Sequence, residues 1–162
     1  MEKKVVGFKL KDEEFAFDIM KVVEIIKLKE ITNVPTAPDF IEGVINLRGK
    51  IIPIIDLRKR FNVEIEERDK KYRIIILELG KQNIGIVVDE VTKVITVSDD
   101  QLLPVPQTVN QAGGKYIESI IKIEDRIIVL LDIEKIFSET EKIELKDIVN
   151  IDGGQIEKSS DS

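Results

Sequence analysis

The sequence predicts an all-β, mainly antiparallel protein, built as two small barrels related by a pseudo-two-fold. Two observations carry this. The first is an internal duplication: residues 40–61, FIEGVINLRGKIIPIIDLRKRF, align without a gap on residues 116–137, YIESIIKIEDRIIVLLDIEKIF. Ile41/Ile117, Glu42/Glu118, Ile45/Ile121, Ile52/Ile128, Asp56/Asp132, Lys59/Lys135 and Phe61/Phe137 are identical. Upstream, residues 5–17 align on 74–86 at an offset of 69, which rises to 76 through an insertion within 105–115. The second observation is the abundance of Ile and Val, whose branched side chains suit a pleated, half-buried surface. A unit of this size is too long for a solenoid repeat and fits a small barrel of about five strands.

The elements follow from local pattern. Residues 5–10 and 14–19 read as a hairpin across Lys11-Asp12-Glu13, followed by one helical turn at 19–22 and a strand from Val23 to Leu28. The second copy repeats this at Arg73–Leu79, Ile84–Asp89 and Val91–Val97. Val22-Val23 and Ile25-Ile26 offer apolar side chains on both faces and are expected to pack across the junction of the copies. Pro35 and Pro38 make the next connection extended. Gly43–Leu47 and Lys50–Ile55 form a hairpin whose tip at Arg48-Gly49 needs a positive φ that glycine supplies. Pro53 argues for an edge or a bulge. Asp56 and Asp132 are placed to cap single helical turns, and Ser98 with Gln101 has capping-box spacing. The first copy is expected at about 5–67 and the second at about 72–138, joined by a charged linker at 62–71. A short charged helix at about 139–149 completes a domain of residues 1–150, and a disordered tail follows at 151–162.

Composition removes whole classes of chemistry. The 162-residue chain has no Cys, His or Trp, which excludes disulfides, thiol nucleophiles, Ser-His-Asp triads and imidazole metal sites. Aromatics are only 5% of the residues, so an aliphatic core is expected. A formal charge of −6 disfavours a general nucleic-acid binder. No apolar run is long enough to span a bilayer and no signal-peptide pattern opens the chain, so a soluble cytoplasmic protein is expected. An aspartic dyad of Asp56 and Asp132 would need small residues after each carboxylate, and helix capping explains both better. No metal and no cofactor is expected. A barrel pair that binds a small ligand or an oligonucleotide is the alternative function that remains, weakened by the acidic charge and scarce aromatics.

The copies disagree at one turn, where Asn46-Leu47-Arg48-Gly49 faces Lys122-Ile123-Glu124-Asp125. A hairpin tip needs Gly49 and has no need of Arg48. A guanidinium on a rigid turn suits a bidentate contact with a partner's carboxylate or carbonyl, and Leu47 would add apolar contact area.

The segment Phe40–Arg58, with its Gly-Val-Ile-Asn-Leu-Arg-Gly string, closely resembles the signature of the CheW chemotaxis coupling family. So do Glu14–Ile19, Val22–Ile25, Gly85–Val91 and Leu130–Ile136, and the resemblance extends over about 5–138. It implies two SH3-like five-stranded barrels and an adaptor without catalysis of its own. Such proteins join the cytoplasmic tips of transmembrane chemoreceptors to the regulatory domain of the histidine kinase CheA, without inserting in the membrane. The resemblance places Val22, Glu24, Gly43 and Arg48 on the partner-binding surface, and Asn46 and Leu47 share its turn. The fold also occurs within the kinase and, joined to a receiver domain, in CheV; a chain of this length is expected to carry neither extra domain.

Overall fold

A computed structural model describes residues 2–61, 67–106 and 116–148. The expected tail at 151–162, most of the insertion and the first half of the linker lie outside these residues. The strands are β1 (Glu2–Leu10), β2 (Glu13–Asp18), β3 (Val22–Lys27), β4 (Ile41–Leu47), β5 (Lys50–Asp56), β6 (Arg73–Leu79), β7 (Gln82–Val88), β8 (Glu90–Ser98), β9 (Leu102–Leu103), β10 (Ile117–Ile123) and β11 (Arg126–Leu131). They form two sheets in the orders β8-β1-β2-β11-β10-β9 and β3-β6-β7-β5-β4.

The sheets cut across the sequence copies. The first copy's hairpin β1–β2 sits in the sheet of the second copy's β8, β10 and β11, and the second copy's hairpin β6–β7 sits with β3, β4 and β5. The units 5–67 and 72–138 are therefore repeats of sequence, while each sheet draws on both. The joints are parallel: Ile54 pairs with Gly85 and Ile55 with Ile86, and at the equivalent positions Leu130 pairs with Ala16 and Leu131 with Phe17. Small residues fall at this joint for a steric reason. A Cβ on Gly85 would lie 2.5 Å from Ile54 Cδ1 and 2.9 Å from Ile74 Cγ2.

Irregularities are duplicated with the ladders. A bulge lies between the Ile41 and Gly43 pairs of β4, and another between Ile117 and Ser119 of β10. The first-position turn residues Lys11 and Gly80 are both left-handed, with φ of 57° and 62°. Each sheet curls on itself. Beyond β3, Thr32 bridges to Val44 of β4 through hydrogen bonds of 2.8 and 2.9 Å. Beyond β8, a 3-10 turn at Asp99–Gln101, held by the 2.9 Å bond from Ser98 N to Gln101 Oε1, leads into β9 against β10. Pro53 is on an inner strand in regular register with Val44, at neither the edge nor the bulge expected of it; β5 pairs with β7 only from Ile54 onward, so the missing N–H faces no ladder on that side.

Period-2 alternation distributes the core in three parts. Ile74 and Ile76 of β6 point into one curled sheet with Ile45, Ile52 and Ile54, while Ile75 and Leu77 point into a core shared between the sheets. Val5, Ile95, Val97, Ile121, Ile128 and Leu130 fill the other sheet. The two sheet interiors are aliphatic, as composition predicts, but every phenylalanine joins the shared core, with Phe8 stacked on Phe15 and Phe17. The C-terminal helix, residues 139–148, seals this core with Leu145 and Ile148. Ser138 and Glu141 form its capping box, at 3.1 Å from Glu141 N to Ser138 Oγ and 2.9 Å from Ser138 N to Glu141 Oε1.

Because no copy contains a whole sheet, residues 1–66 alone should remain unfolded, as should 67–162. Mixing the two fragments should restore a cooperative β spectrum by far-UV circular dichroism.

Candidate partner-binding surface

Arg48 and Gly49 link β4 to β5 with φ of 51° and 85°, the doubly left-handed turn that a right-twisted two-residue hairpin favours. A Cβ on Gly49 would meet nothing within 4 Å, so the role of the glycine is conformational. Asn46 Oδ1 accepts from Gly49 N at 2.8 Å and locks the tip, while Lys29 Nζ donates to the Asn46 carbonyl at 2.6 Å. The Arg48 guanidinium donates to the Glu24 carboxylate. This pair spans the seam where the curled sheet closes, since β3 and β4 are its two edges. The Arg48 side chain stays 69% exposed and Glu24 30%. An ion pair so wet contributes about 0–1 kcal/mol, so its main effect is to aim the guanidinium.

The sister tip is built differently. Glu124 is left-handed at φ 54°, Asp125 is not, and Lys122 offers no side-chain oxygen in place of Asn46. Where Glu24 stands in the first copy, Lys93 stands in the second, so the charges of the seam are reversed. Arg126 there reaches Glu14, at 2.8 Å.

The other expected site residues serve different ends. Val22 is half-buried against the shared core. Leu47 is buried in the interior of its own sheet, so it supports the tip from below and offers no contact area of the kind expected of it. Gly43 is buried under the 31–32 segment, and a Cβ there would lie 2.3 Å from the Thr32 carbonyl oxygen. The structure thus brings Glu24, Asn46 and Arg48 together at the surface and places Val22, Gly43 and Leu47 beneath it. Sequence reading missed the apolar neighbours: Met20, Val23 and Ile25 are 84%, 47% and 39% exposed. The doubled pattern Val22-Val23-Glu24-Ile25-Ile26 reads as a strand buried on both faces, but β3 is an edge whose Val23–Ile25 side faces solvent.

Below the hairpin lies a buried charge network. Asp56 caps the helical turn Leu57–Arg60 by accepting from Arg58 N at 2.9 Å, and Asp132 caps Ile133–Ile136 by accepting from Glu134 N at 3.0 Å. Capping is therefore their structural role. Asp56 also takes the Arg58 guanidinium at 2.8 Å and Arg68 at 2.9 Å, and Arg68 reaches Glu42 at 2.6 Å. Arg58 continues to the Tyr72 hydroxyl and stands 3.6 Å from Asp89, whose other carboxylate oxygen accepts from Lys11 N at 2.8 Å. Burial disfavours the Asp56 anion, but the bonds from Arg58 and Arg68 outweigh it and hold the carboxyl below its usual range. Among the described residues, no cluster of acidic side chains is arranged to hold a metal ion.

A duplicated β scaffold that displays one rigid, charged hairpin belongs to the class of protein-interaction modules. Residues 4–141 match the family described as the CheW-like domain. The chain is 39% identical over 134 residues to the chemotaxis protein CheW of Klebsiella aerogenes, covering 83% of this chain and 81% of that one. It is 36% identical over 141 residues to that of Treponema pallidum, covering 85% and 83%. The crystal structure of the scaffolding protein TtCheW from Thermoanaerobacter tengcongensis superposes with a TM-score of 0.76 at 41% identity, over 85% of this chain and 89% of that one. The chain belongs to the CheW-like family.

Exposure and burial predict opposite mutational signatures. Arg58→Ala strips a buried partner from Asp56 and should cost about 3–5 kcal/mol in urea unfolding, whereas Arg48→Ala should cost under about 1 kcal/mol. Because the folded-state pKa of Asp56 is depressed, its stabilisation is present above the usual carboxylate range and lost as pH falls through the lowered value. Stability measured against pH should fall along this acid limb, and Asp56→Asn should flatten it.

Proposed function

We propose that this protein is a coupling adaptor of bacterial chemotaxis, joining the cytoplasmic tips of transmembrane chemoreceptors to the regulatory domain of the histidine kinase CheA. It acts by binding and performs no catalysis, and it works in the cytoplasm at the membrane face of receptor assemblies. The observation that carries this reading is the asymmetric hairpin. Arg48 is held outward by Glu24 on a turn locked by Asn46, while apolar Met20 on the 3-10 turn before β3 and Val23 and Ile25 on the outer face of β3 are exposed. A rigid charged anchor beside exposed aliphatic area is the composition of an interface core with its polar rim. Family membership supports the same reading.

No helix among the described residues is long and apolar enough to cross a membrane. The oligonucleotide alternative gains nothing: no aromatic stands among the large hydrophobics exposed in the described residues, and the net charge is −6.

Isothermal calorimetry with a receptor-tip fragment and a kinase regulatory-domain fragment tests the assignment. Arg48→Ala should keep the thermal midpoint of the parent and weaken binding to at least one fragment by roughly tenfold or more, the worth of a charge-assisted bond. Undiminished affinity for both would contradict it.

A further inference from the structure

The pseudo-two-fold places two equivalent carboxylate pairs in different company. In the first copy, Glu42 in the β4 bulge and Asp56 at the end of β5 together receive the guanidinium of Arg68, at 2.6 and 2.9 Å. Their counterparts at an offset of 76 are Glu118, in the equivalent β10 bulge, and Asp132, directly after β11. The registers match, with Ile41 opposite Ile55 and Ile117 opposite Leu131. The second pair therefore has the backbone placement of the first.

The second pair has lost its guanidinium groups. Glu134 stands where Arg58 stands in the first copy, and beyond Phe137 the chain enters the C-terminal helix, with no arginine there to match Arg68. A groove of about 1030 Å³ opens at this place, lined by Glu118, Asp132 and Glu134 together with apolar Val105, Ile117 and Phe137. One Asp132 oxygen caps Glu134 N and the other accepts from no described residue. Glu118 engages Lys3 through one oxygen at 2.9 Å. Lys135 and Lys142 also border the groove, the latter paired with Glu139 at 3.3 Å.

The chain cannot supply the missing group itself. Arg48 is engaged by Glu24, Arg58 by Asp56, Arg60 by Glu141, Arg68 by Glu42, Arg126 by Glu14, and Arg73 by the carbonyls of Lys70 and Tyr72. We propose that this groove receives an arginine from an extended segment of a partner protein, bridging Glu118 and Asp132 as Arg68 bridges Glu42 and Asp56. The half-buried Val105 and Ile117 take the apolar residues that flank it. In the first copy one guanidinium nitrogen of Arg68 reaches both carboxylates, and arginine is favoured over lysine because its group is more weakly hydrated and keeps further planar N–H donors for the groove. This site lies on the sheet that does not carry Arg48, and it is a second recognition surface beyond the hairpin.

The test uses the full isotope-labelled chain, titrated by amide NMR with the probe acetyl-Ile-Arg-Ile-amide and with its lysine and citrulline versions. Shifts should cluster at Glu118 and at 132–137 for the arginine probe, with a weaker response to lysine and none to citrulline. Asp132→Asn keeps a capping oxygen, and Glu118→Gln changes a strand residue with no capping role. Each should weaken binding roughly tenfold, as expected for loss of one charge-assisted contact. Glu134→Arg should rebuild the first copy's pairing and abolish the response. Arg48→Ala should leave it unchanged, which separates failure of this site from failure of the hairpin reading. An equal response to citrulline, unaltered affinity in Asp132→Asn and Glu118→Gln, or shifts confined to other surfaces would overturn the proposal. So would self-association that Glu134→Arg removes, since that would give the groove to a second copy of the chain.

Discussion

The parallel pairing of β5 with β7, and of β11 with β2, is the constraint on which the rest of the molecule depends. Each joint welds strands of one sequence copy to the hairpin of the other. A parallel joint buries both strands, which is why β5 and β7 read as nearly continuous Ile and Val over Ile51–Ile55 and Ile84–Val88, interrupted only by Pro53 and Gly85, rather than as alternation. It also sets where small residues must fall, since Gly85 and Ala16 occupy matching places in the two ladders. The shared core of phenylalanines follows, because the two exchanged hairpins lie back to back and turn one face of each toward the other.

On this symmetric frame the protein places unlike chemistry. One seam is closed by Arg48 with Glu24, and its counterpart carries Glu124 and Lys93. One carboxylate pair holds Arg68, and its counterpart lines an open groove. The buried Asp56–Arg58–Arg68 network anchors the linker end to the first sheet and contributes stability; the exposed Arg48–Glu24 pair contributes almost none and orients the guanidinium. Magnitude thus separates scaffold from surface where residue type alone does not.

Much of this was legible in the sequence. The duplication, the hairpins, both Asp caps and the Ser98 turn rest on local spacing, and local spacing decides them. Hairpin exchange was not legible, because either partner strand satisfies the same pattern of apolar residues. Leu47 was misplaced for a related reason: beside a turn, a buried and an exposed leucine look alike until the register is known. Gly43 carries no signal of the segment folded over it, which arrives from Thr32 and closes the curl of the sheet. The Arg58 pairing could have been suspected from Asp56-Leu-Arg58 against Asp132-Ile-Glu134, a difference between copies as informative as that at the hairpin tip.

The central claim is that the tip of one copy carries recognition while the frame is common to both. The most direct measurement replaces residues 46–49 with the sister tip's Lys-Ile-Glu-Asp and compares its affinity for receptor-tip and kinase fragments with that of the parent. The account predicts a folded protein, with the parent's pattern of dispersed core resonances, that has lost affinity for at least one fragment. Full binding by the tip-exchanged protein would contradict it.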